Sequence, residues 1–351
     1  MTANRIVDLT SDTATRPSPG MRKAMAEAEV GDEQKAEDPT TNVLQERVAE
    51  LLGKEAAVFL PSGTMCNQIA MLVHCRPGDE VIAADMAHIF TSEAGGGSAL
   101  AGVQTWPLVT KRGIFSGAEV EAALREPGAR HAPRSRFVGI EQTVNRGGGS
   151  VWPMQAIEDV AGTARRHGLA VHMDGARILN AVVASGVAAH RMAAPCDSVW
   201  VDLSKGLGCP VGGVLAGSAA FIDQAWQWKH RLGGALRQSG VLAAAGIYAL
   251  DHNIEQLALD HANARCLADR LGNIAGIRIM NPEVETNIVF IDPTASGKTP
   301  KDIVSGLAEH GVRMGTSYGG MIRAVTHLDV TADDMEIAAQ AFTRVVVGKG
   351  R

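Results

Sequence analysis

Three groups of residues in this sequence have types and spacing that suit one kind of chemistry. Asp174 closes an apolar run, Leu169-Ala170-Val171-His172-Met173, and is followed by Gly175-Ala176-Arg177. Lys205 lies in Ser204-Lys205-Gly206, just after a second apolar run, Ser198-Val199-Trp200-Val201-Asp202-Leu203. Pro61-Ser62-Gly63-Thr64 joins the run Ala57-Val58-Phe59-Leu60 to a helical stretch that reaches Val73. A carboxylate at a strand end can hold a pyridinium nitrogen protonated, which makes the ring an electron sink. Burial disfavours the charged form of a lysine and frees its amine as a nucleophile. Small residues at a helix start expose backbone N–H groups to an anion, and the Ser62 and Thr64 hydroxyls add donors. Each feature has an ordinary alternative. Asp174 could be a helix N-cap, Lys205 a solvated loop lysine, and many helices begin as Ser62-Gly63-Thr64 does. Taken in order, anion cup, aspartate and lysine make up the groups that a pyridoxal-phosphate site needs.

Those residues must be held by alternating strands and helices. Strand-like runs recur at Ala57–Leu60, Glu80–Ala83, Val103–Val109, Phe137–Ile140, Ala170–Met173, Val199–Leu203 and Val211–Leu215. Helical patterns lie between them, as at Ala118–Glu126 and Met154–His167, where Ile157, Val160, Ala161 and Ala164 form an apolar face. Alternation of this kind predicts an α/β fold with a mainly parallel sheet covered on both faces. From about Asn253 the pattern changes. An apolar helical face at Ile254, Leu257, Ala258, His261 and Ala262 comes first. A strand at Asn287–Asp292, a helix at Pro300–His310, a strand near Met321–His327 and a helix at Ala332–Val346 follow. The expected division is a large domain over 1–252, with an N-terminal arm, and a small α+β domain over 253–351.

Composition excludes other classes. The chain has 351 residues, 46% of them apolar and 20% charged, enough for a large core. A net charge of −5 with scattered Lys and Arg argues against nucleic acid as a partner. No apolar stretch is long enough to span a membrane, and Ser239–Leu250 reads as a buried helix. Met1-Thr2-Ala3-Asn4-Arg5 lacks the apolar core of a signal peptide. The five cysteines fit neither a disulfide framework nor a zinc site, so free thiols in a cytoplasmic protein without a metal are expected.

Several segments together resemble the low-specificity L-threonine aldolases. They are Asp8-Leu9-Thr10-Ser11-Asp12-Thr13, Gly31-Asp32 with Glu37-Asp38-Pro39-Thr40, Pro61-Ser62-Gly63-Thr64-Met65, His172-Met173-Asp174-Gly175-Ala176-Arg177, Leu203-Ser204-Lys205-Gly206-Leu207-Gly208 and Leu236-Arg237-Gln238. The likeness runs from about Asp8 to the C-terminal helix. It implies the fold type I architecture of pyridoxal-phosphate-dependent transferases, within the beta-eliminating lyase group. The implied reaction is cleavage of a β-hydroxy-α-amino acid to glycine and an aldehyde. Lys205 would carry pyridoxal 5'-phosphate as a Schiff base, with Asp174 at the ring nitrogen and Arg177 near the phenolic oxygen. Ser62, Gly63 and Thr64 would bind the phosphate. His88 would stack on the ring and serve as an acid–base group. Ser11 and Arg323, with Arg177, would hold the substrate, Arg323 and Ser11 at its α-carboxylate. Arg237 would reach a neighbouring subunit's phosphate, which implies a homodimer or homotetramer with shared sites. Structural alternatives remain, since Arg323 could serve a salt bridge and His88 a helix cap.

The departures from that family gather around the substrate. Val144, in Glu141-Gln142-Thr143-Val144-Asn145, stands where a histidine is usual, and Ser92 where an aromatic residue is usual. Gln34-Lys35 replaces a Val-Tyr pair, and Lys229-His230 an Arg-Lys pair. Valine can neither bond a hydroxyl nor move a proton. Threonine is therefore expected to be a poor substrate. The changes also leave open a different reaction on the same cofactor, such as β-elimination, racemisation or transamination, and more distantly a binding protein without turnover.

Overall fold

The computed structural model describes residues 5–126 and 128–348. The stretch read above for a targeting segment lies, as far as Asn4, outside the described residues. Thirteen strands are numbered in chain order. β1 is Val7–Asp8, β2 Ala56–Leu60, β3 Asp79–Ala84, β4 Gln104–Leu108, β5 Arg134–Glu141, β6 Ala170–Asp174 and β7 Ser198–Asp202. β8 is Gly213–Gly217, β9 Arg278–Ile279, β10 Ile288–Asp292, β11 Val312–Arg313, β12 Gly315–Ser317 and β13 Met321–Val325.

A seven-stranded sheet in the order β2-β8-β7-β6-β5-β3-β4 carries the site. The pairs β7–β6, β6–β5, β5–β3 and β3–β4 are parallel, while β8 runs antiparallel to both its neighbours. The sheet is thus mainly parallel, as the alternating pattern predicts. β3, β7 and β8 are buried at every position and read as continuous runs, because helices cover both faces. β4 departs from that rule. It lies at the sheet edge, is largely exposed and contains Pro107, whose missing N–H an edge strand tolerates.

Local signals fix the elements that approach the site. Helix Gly63–His74 starts where the Ser62 hydroxyl accepts the Met65 N–H. Helix Pro39–Leu52 starts at an Asp38 cap with Pro39 in its first turn, and stops at Gly53, whose φ of +62° a Cβ would disfavour. The run expected to form a buried helix does so as Gly240–His252. No helix among the described residues is long and apolar enough to cross a membrane.

A four-stranded antiparallel sheet, β12-β13-β10-β9, lies against helices Leu257–Gly272 and Pro300–Glu309, and helix Ala332–Val347 packs on those two helices and on β11. Two large apolar cores result, with a small third cluster of Ile288, Phe290 and Val325. One gathers residues from Met21 to Leu257, the other from Ala264 to Val346. Val7 and Leu9 join the second core, because β1 pairs in parallel with β11. The start of the N-terminal arm is therefore packed with the C-terminal unit, while Asp12 and Thr15 bond Arg177 and the Lys205 carbonyl of the large unit.

Candidate active site

The carboxyl ends of β5, β6 and β7 lie side by side and each ends in an acid: Glu141, Asp174 and Asp202. β2 and β3 end on the same edge of the sheet, and the chain then turns into Ser62-Gly63-Thr64 and into His88. Ligands collect at such an edge, where strand ends and helix starts face one crevice. A cavity of about 310 Å3 opens there. It is lined by Ser11, Ser62, Gly63, Thr64, His88, Asp174, Arg177, Lys205 and Arg323, all of them expected from the sequence. Thr13, Glu141, Asn145, Trp200 and Asp202 also line it. A larger cleft of about 500 Å3, near His261 and Glu283, holds none of the expected residues.

Lys205 Nζ lies 2.7 Å from Asp202 Oδ2, and 5.6 Å from the centre of the Trp200 ring. The other oxygen of Asp202 accepts the Ser204 N–H (2.8 Å) and hydroxyl (2.9 Å), which fixes the turn that presents the lysine. Asp174 is buried. Its Oδ2 accepts the Asn67 side-chain N–H (2.8 Å) and its Oδ1 the Ala176 N–H (3.1 Å). Among the described residues it forms no ion pair. Burial pushes its carboxyl above the usual carboxylate range, and His88 and Lys205 pull the other way. A cationic ring nitrogen would relieve that burial cost.

The two arginines differ. Arg177 Nε and Nη2 grip Asp12 at 2.6 and 2.7 Å, and Asn287 donates to the same carboxylate at 3.1 Å. Burial alone would raise the Asp12 carboxyl, but the Arg177 charge and hydrogen bonds hold it well below the usual range. Arg323 instead donates to neutral oxygens, Asn145 Oδ1 (3.0 Å) and the Thr10 carbonyl (3.1 Å), and pairs with no carboxylate among the described residues. Burial, with Arg177 beside it, draws it below the ordinary arginine value. A guanidinium held this way is ready for a ligand carboxylate.

His88 is the first residue of the short helix His88–Thr91, and its N–H donates to Glu141 Oε2 (2.8 Å). Its Nδ1 lies 2.8 Å from Glu93 Oε1. The protein bonds its Nδ1, and the ring borders the cavity. His88, Glu93 and Asp174 offer possible metal-ligand atoms within 4.8 Å of one another. Both oxygens of each carboxylate already accept hydrogen bonds, however, so the group reads as a polar network.

Three residues singled out in the sequence lie outside this cavity. Arg237, expected at a neighbouring subunit's phosphate, does not line it; its side chain is 60% exposed and lies 3.0 Å from Asp32. Val144 does not line it either. It is buried beside Gly113, where an added Cβ would overlap its side chain. Ser92, which ends the short helix after His88, is not a lining residue and is exposed. Glu93, Glu141, Asn67, Asp12 and Asp202 were not foreseen. The rule that picked out Asp174, an acid closing an apolar strand, also fits Glu141 and Asp202.

The donor set fits pyridoxal 5'-phosphate. An amine, a buried carboxylate without an ion pair and a capped helix start face one cavity. At Gly63 a Cβ would overlap the Trp200 ring, so glycine lets the helix start pack against that ring at the cavity wall. The profile of the beta-eliminating lyases matches residues 8–294. The chain is 41% identical to low-specificity L-threonine aldolase 1 of Arabidopsis thaliana, over 98% of this chain and 97% of that one. It is 40% identical to the low specificity L-threonine aldolase of Escherichia coli strain K12, over 95% and 98%. In fold it is similar to a threonine aldolase of Leishmania major, with a TM-score of 0.83 at 22% identity, over 97% of this chain and 99% of that one.

Proposed function

The chain belongs to the beta-eliminating lyase family, and from that premise we propose that it cleaves a β-hydroxy-α-amino acid to glycine and an aldehyde, with pyridoxal 5'-phosphate as cofactor. The observation that carries this reading is one cavity shared by Lys205, Asp174, His88 and Arg323. When bound, the cofactor supplies the sink for the electron pair released as the Cα–Cβ bond breaks.

In this reading Lys205 is the covalent anchor, Asp174 faces the ring nitrogen, and Ser62, Gly63 and Thr64 hold the phosphate. Arg177, braced by Asp12, lies toward the ring's phenolic oxygen and the substrate. Asp202, 2.7 Å from Lys205 Nζ, holds the amine in place whenever it is not covalently engaged. Arg323 and Ser11 take the α-carboxylate, and Arg323 is suited to it because its present partners are neutral. His88 takes the proton of the β-hydroxyl, a role that general bases fill at a gain of about 10²–10⁴-fold in rate. Arg237, on an exposed loop, completes the phosphate site of a second copy, so the working form is a homodimer or a dimer of dimers. We place it in the cytoplasm.

Val144 and Ser92 do not themselves line the cavity, but no histidine stands at 144 to meet a substrate hydroxyl, and that absence supports the reading that threonine is cleaved poorly beside a larger or more polar β-hydroxy-α-amino acid. A Val144→His change is a poor test, since Val144 is packed against Gly113. The direct experiment incubates the holoenzyme with threonine, allo-threonine and aryl or polar β-hydroxy amino acids, and measures glycine and aldehyde. Equimolar release of both is expected, with threonine slower than the best substrate. Ammonia and a keto acid in place of glycine would overturn the reaction assigned. Threonine as the fastest substrate would overturn the preference.

A further inference from the structure

Glu93 lies five residues after His88, on the turn that follows the short helix His88–Thr91. Its side chain is fully buried. Oε1 accepts the Asn67 side-chain N–H (2.7 Å) and lies 2.8 Å from His88 Nδ1, while Oε2 accepts from Gln68 Nε2 at 2.6 Å. A carboxylate so placed can only accept. The histidine nitrogen beside it must therefore carry a hydrogen, which leaves the lone pair of a neutral ring on Nε2. Without that partner the ring could turn over about its last torsion, which has two roughly equivalent wells, and could exchange tautomers.

We propose that Glu93 is a positioning residue that holds His88 as the Nδ1–H tautomer, so that Nε2 is the nitrogen free to take a proton in the cavity. The inference rests on the reading of His88 as the proton acceptor. Asn67 ties the arrangement to the rest of the site, because its Nδ2 donates to Asp174 as well as to Glu93. Asn67 Oδ1 in turn accepts from the Trp200 indole (2.8 Å) and lies 3.1 Å from His172 Nε2. The spacer amide thus joins the two buried carboxylates that face the histidine and the lysine.

Three acids face His88: Glu93 from its own turn, Glu141 from the end of β5 and Asp174 from the end of β6. Burial lowers the proton affinity of the ring, but the Glu93 hydrogen bond and these charges outweigh it, and the net shift is upward. Among the described residues only Glu93 bonds the ring itself, so Glu93 sets the tautomer.

Two variants separate charge from position. Glu93→Gln keeps an acceptor for Nδ1–H and loses the charge. Its new amide meets Gln68, whose buried Oε1 has no partner and can accept once the Gln68 amide turns over, so the variant fits. Glu93→Leu removes both acceptor and charge. The readout is the nitrogen chemical shift of 15N-labelled histidine in the full-length protein, with and without pyridoxal 5'-phosphate, His88 being assigned by its loss in His88→Asn. The parent protein shows the Nδ1–H tautomer. Glu93→Gln keeps that tautomer but titrates at lower pH, and Glu93→Leu shows a mixture. kcat falls about tenfold to a hundredfold in Glu93→Leu with little change in KM. An unchanged tautomer in Glu93→Leu overturns the proposal, as does an unchanged His88 titration in Glu93→Gln. If Glu93→Leu does not fold, the Glu93→Gln titration decides alone. A shifted tautomer without loss of turnover would instead overturn the role given to His88 and leave the role of Glu93 standing.

Discussion

At the scale of single residues, the site is a set of buried charges that are rarely left alone. Asp174, Glu141 and Glu93 lie near one histidine in a region from which water is largely excluded, and each accepts from N–H groups that are themselves fixed. Leaving such a group unpaired costs roughly 1–3 kcal/mol, and more when it is charged. Arg177 and Arg323 show what pairing decides: the first is already held by Asp12, so the second is the arginine with capacity for a ligand carboxylate. Lys205, Asp174 and the Ser62-Gly63-Thr64 turn were legible because their neighbours along the chain are apolar runs that end abruptly. Glu93 and Asp12 were not, since their meaning comes from partners that sequence spacing does not reveal. Asp12 meets Arg177 from 165 positions away. Val144 reads both ways, because an apolar residue in a polar motif is equally a core residue.

At the scale of elements, strand ends and helix starts supply the precision. Most of them were readable from alternation of apolar and polar residues, within a residue for β6, β7 and the C-terminal helix, while β5 begins three residues before the expected Phe137. The pairing of β1 with β11 was not readable, because a two-residue strand carries no period. One helix also carries an unusual acid. Asp260, on Leu257–Gly272, is buried and its Oδ2 has no hydrogen-bond partner among the described residues. Burial, together with the charge of Asp12, pushes its carboxyl up to about 8 from a usual 3.8. An acid with a raised folded-state value binds more protons folded than unfolded between those two limits. Stability therefore falls as pH rises from about 4 toward 8 on this account, and the sign is opposite to that of a salt-bridged aspartate. Asp260→Asn, which mimics the protonated carboxyl, should raise the melting temperature more at about pH 8 than at about pH 5. Parallel curves for the two proteins would show that Asp260 does not hold a proton in the fold.

At the scale of the whole molecule, two loops on the large unit are latched to each other. Glu33 pairs with the fully buried Lys229, and its backbone N–H donates to the Arg237 carbonyl at 2.9 Å. Gln34 donates to the Leu236 carbonyl at 3.0 Å. The Gln34 and Lys229 replacements thus belong to the latch, whereas the cavity is elsewhere. Val30, Val43 and Val241 leave apolar side chains exposed on the flanking elements. An exposed arginine, a hydrogen-bonded loop and nearby apolar surface suit a symmetric contact between copies. Sedimentation of the active protein should give a dimer or tetramer, and Arg237→Ala should weaken cofactor binding while the fold stays intact. A fully active monomer, or unchanged cofactor affinity in the variant, would contradict shared sites.

The account depends most on Lys205. It is the residue that a strand end presents to the cavity, with Asp202 at 2.7 Å and Asp174 lining the same cavity. Borohydride reduction of the protein loaded with pyridoxal 5'-phosphate, followed by proteolysis and mass spectrometry, reports the attachment point directly. The expected result is one cofactor-bearing peptide, with the modification on Lys205, and no fixed cofactor in Lys205→Ala. Cofactor fixed to another lysine, or to Lys205→Ala as readily as to the parent, would contradict it.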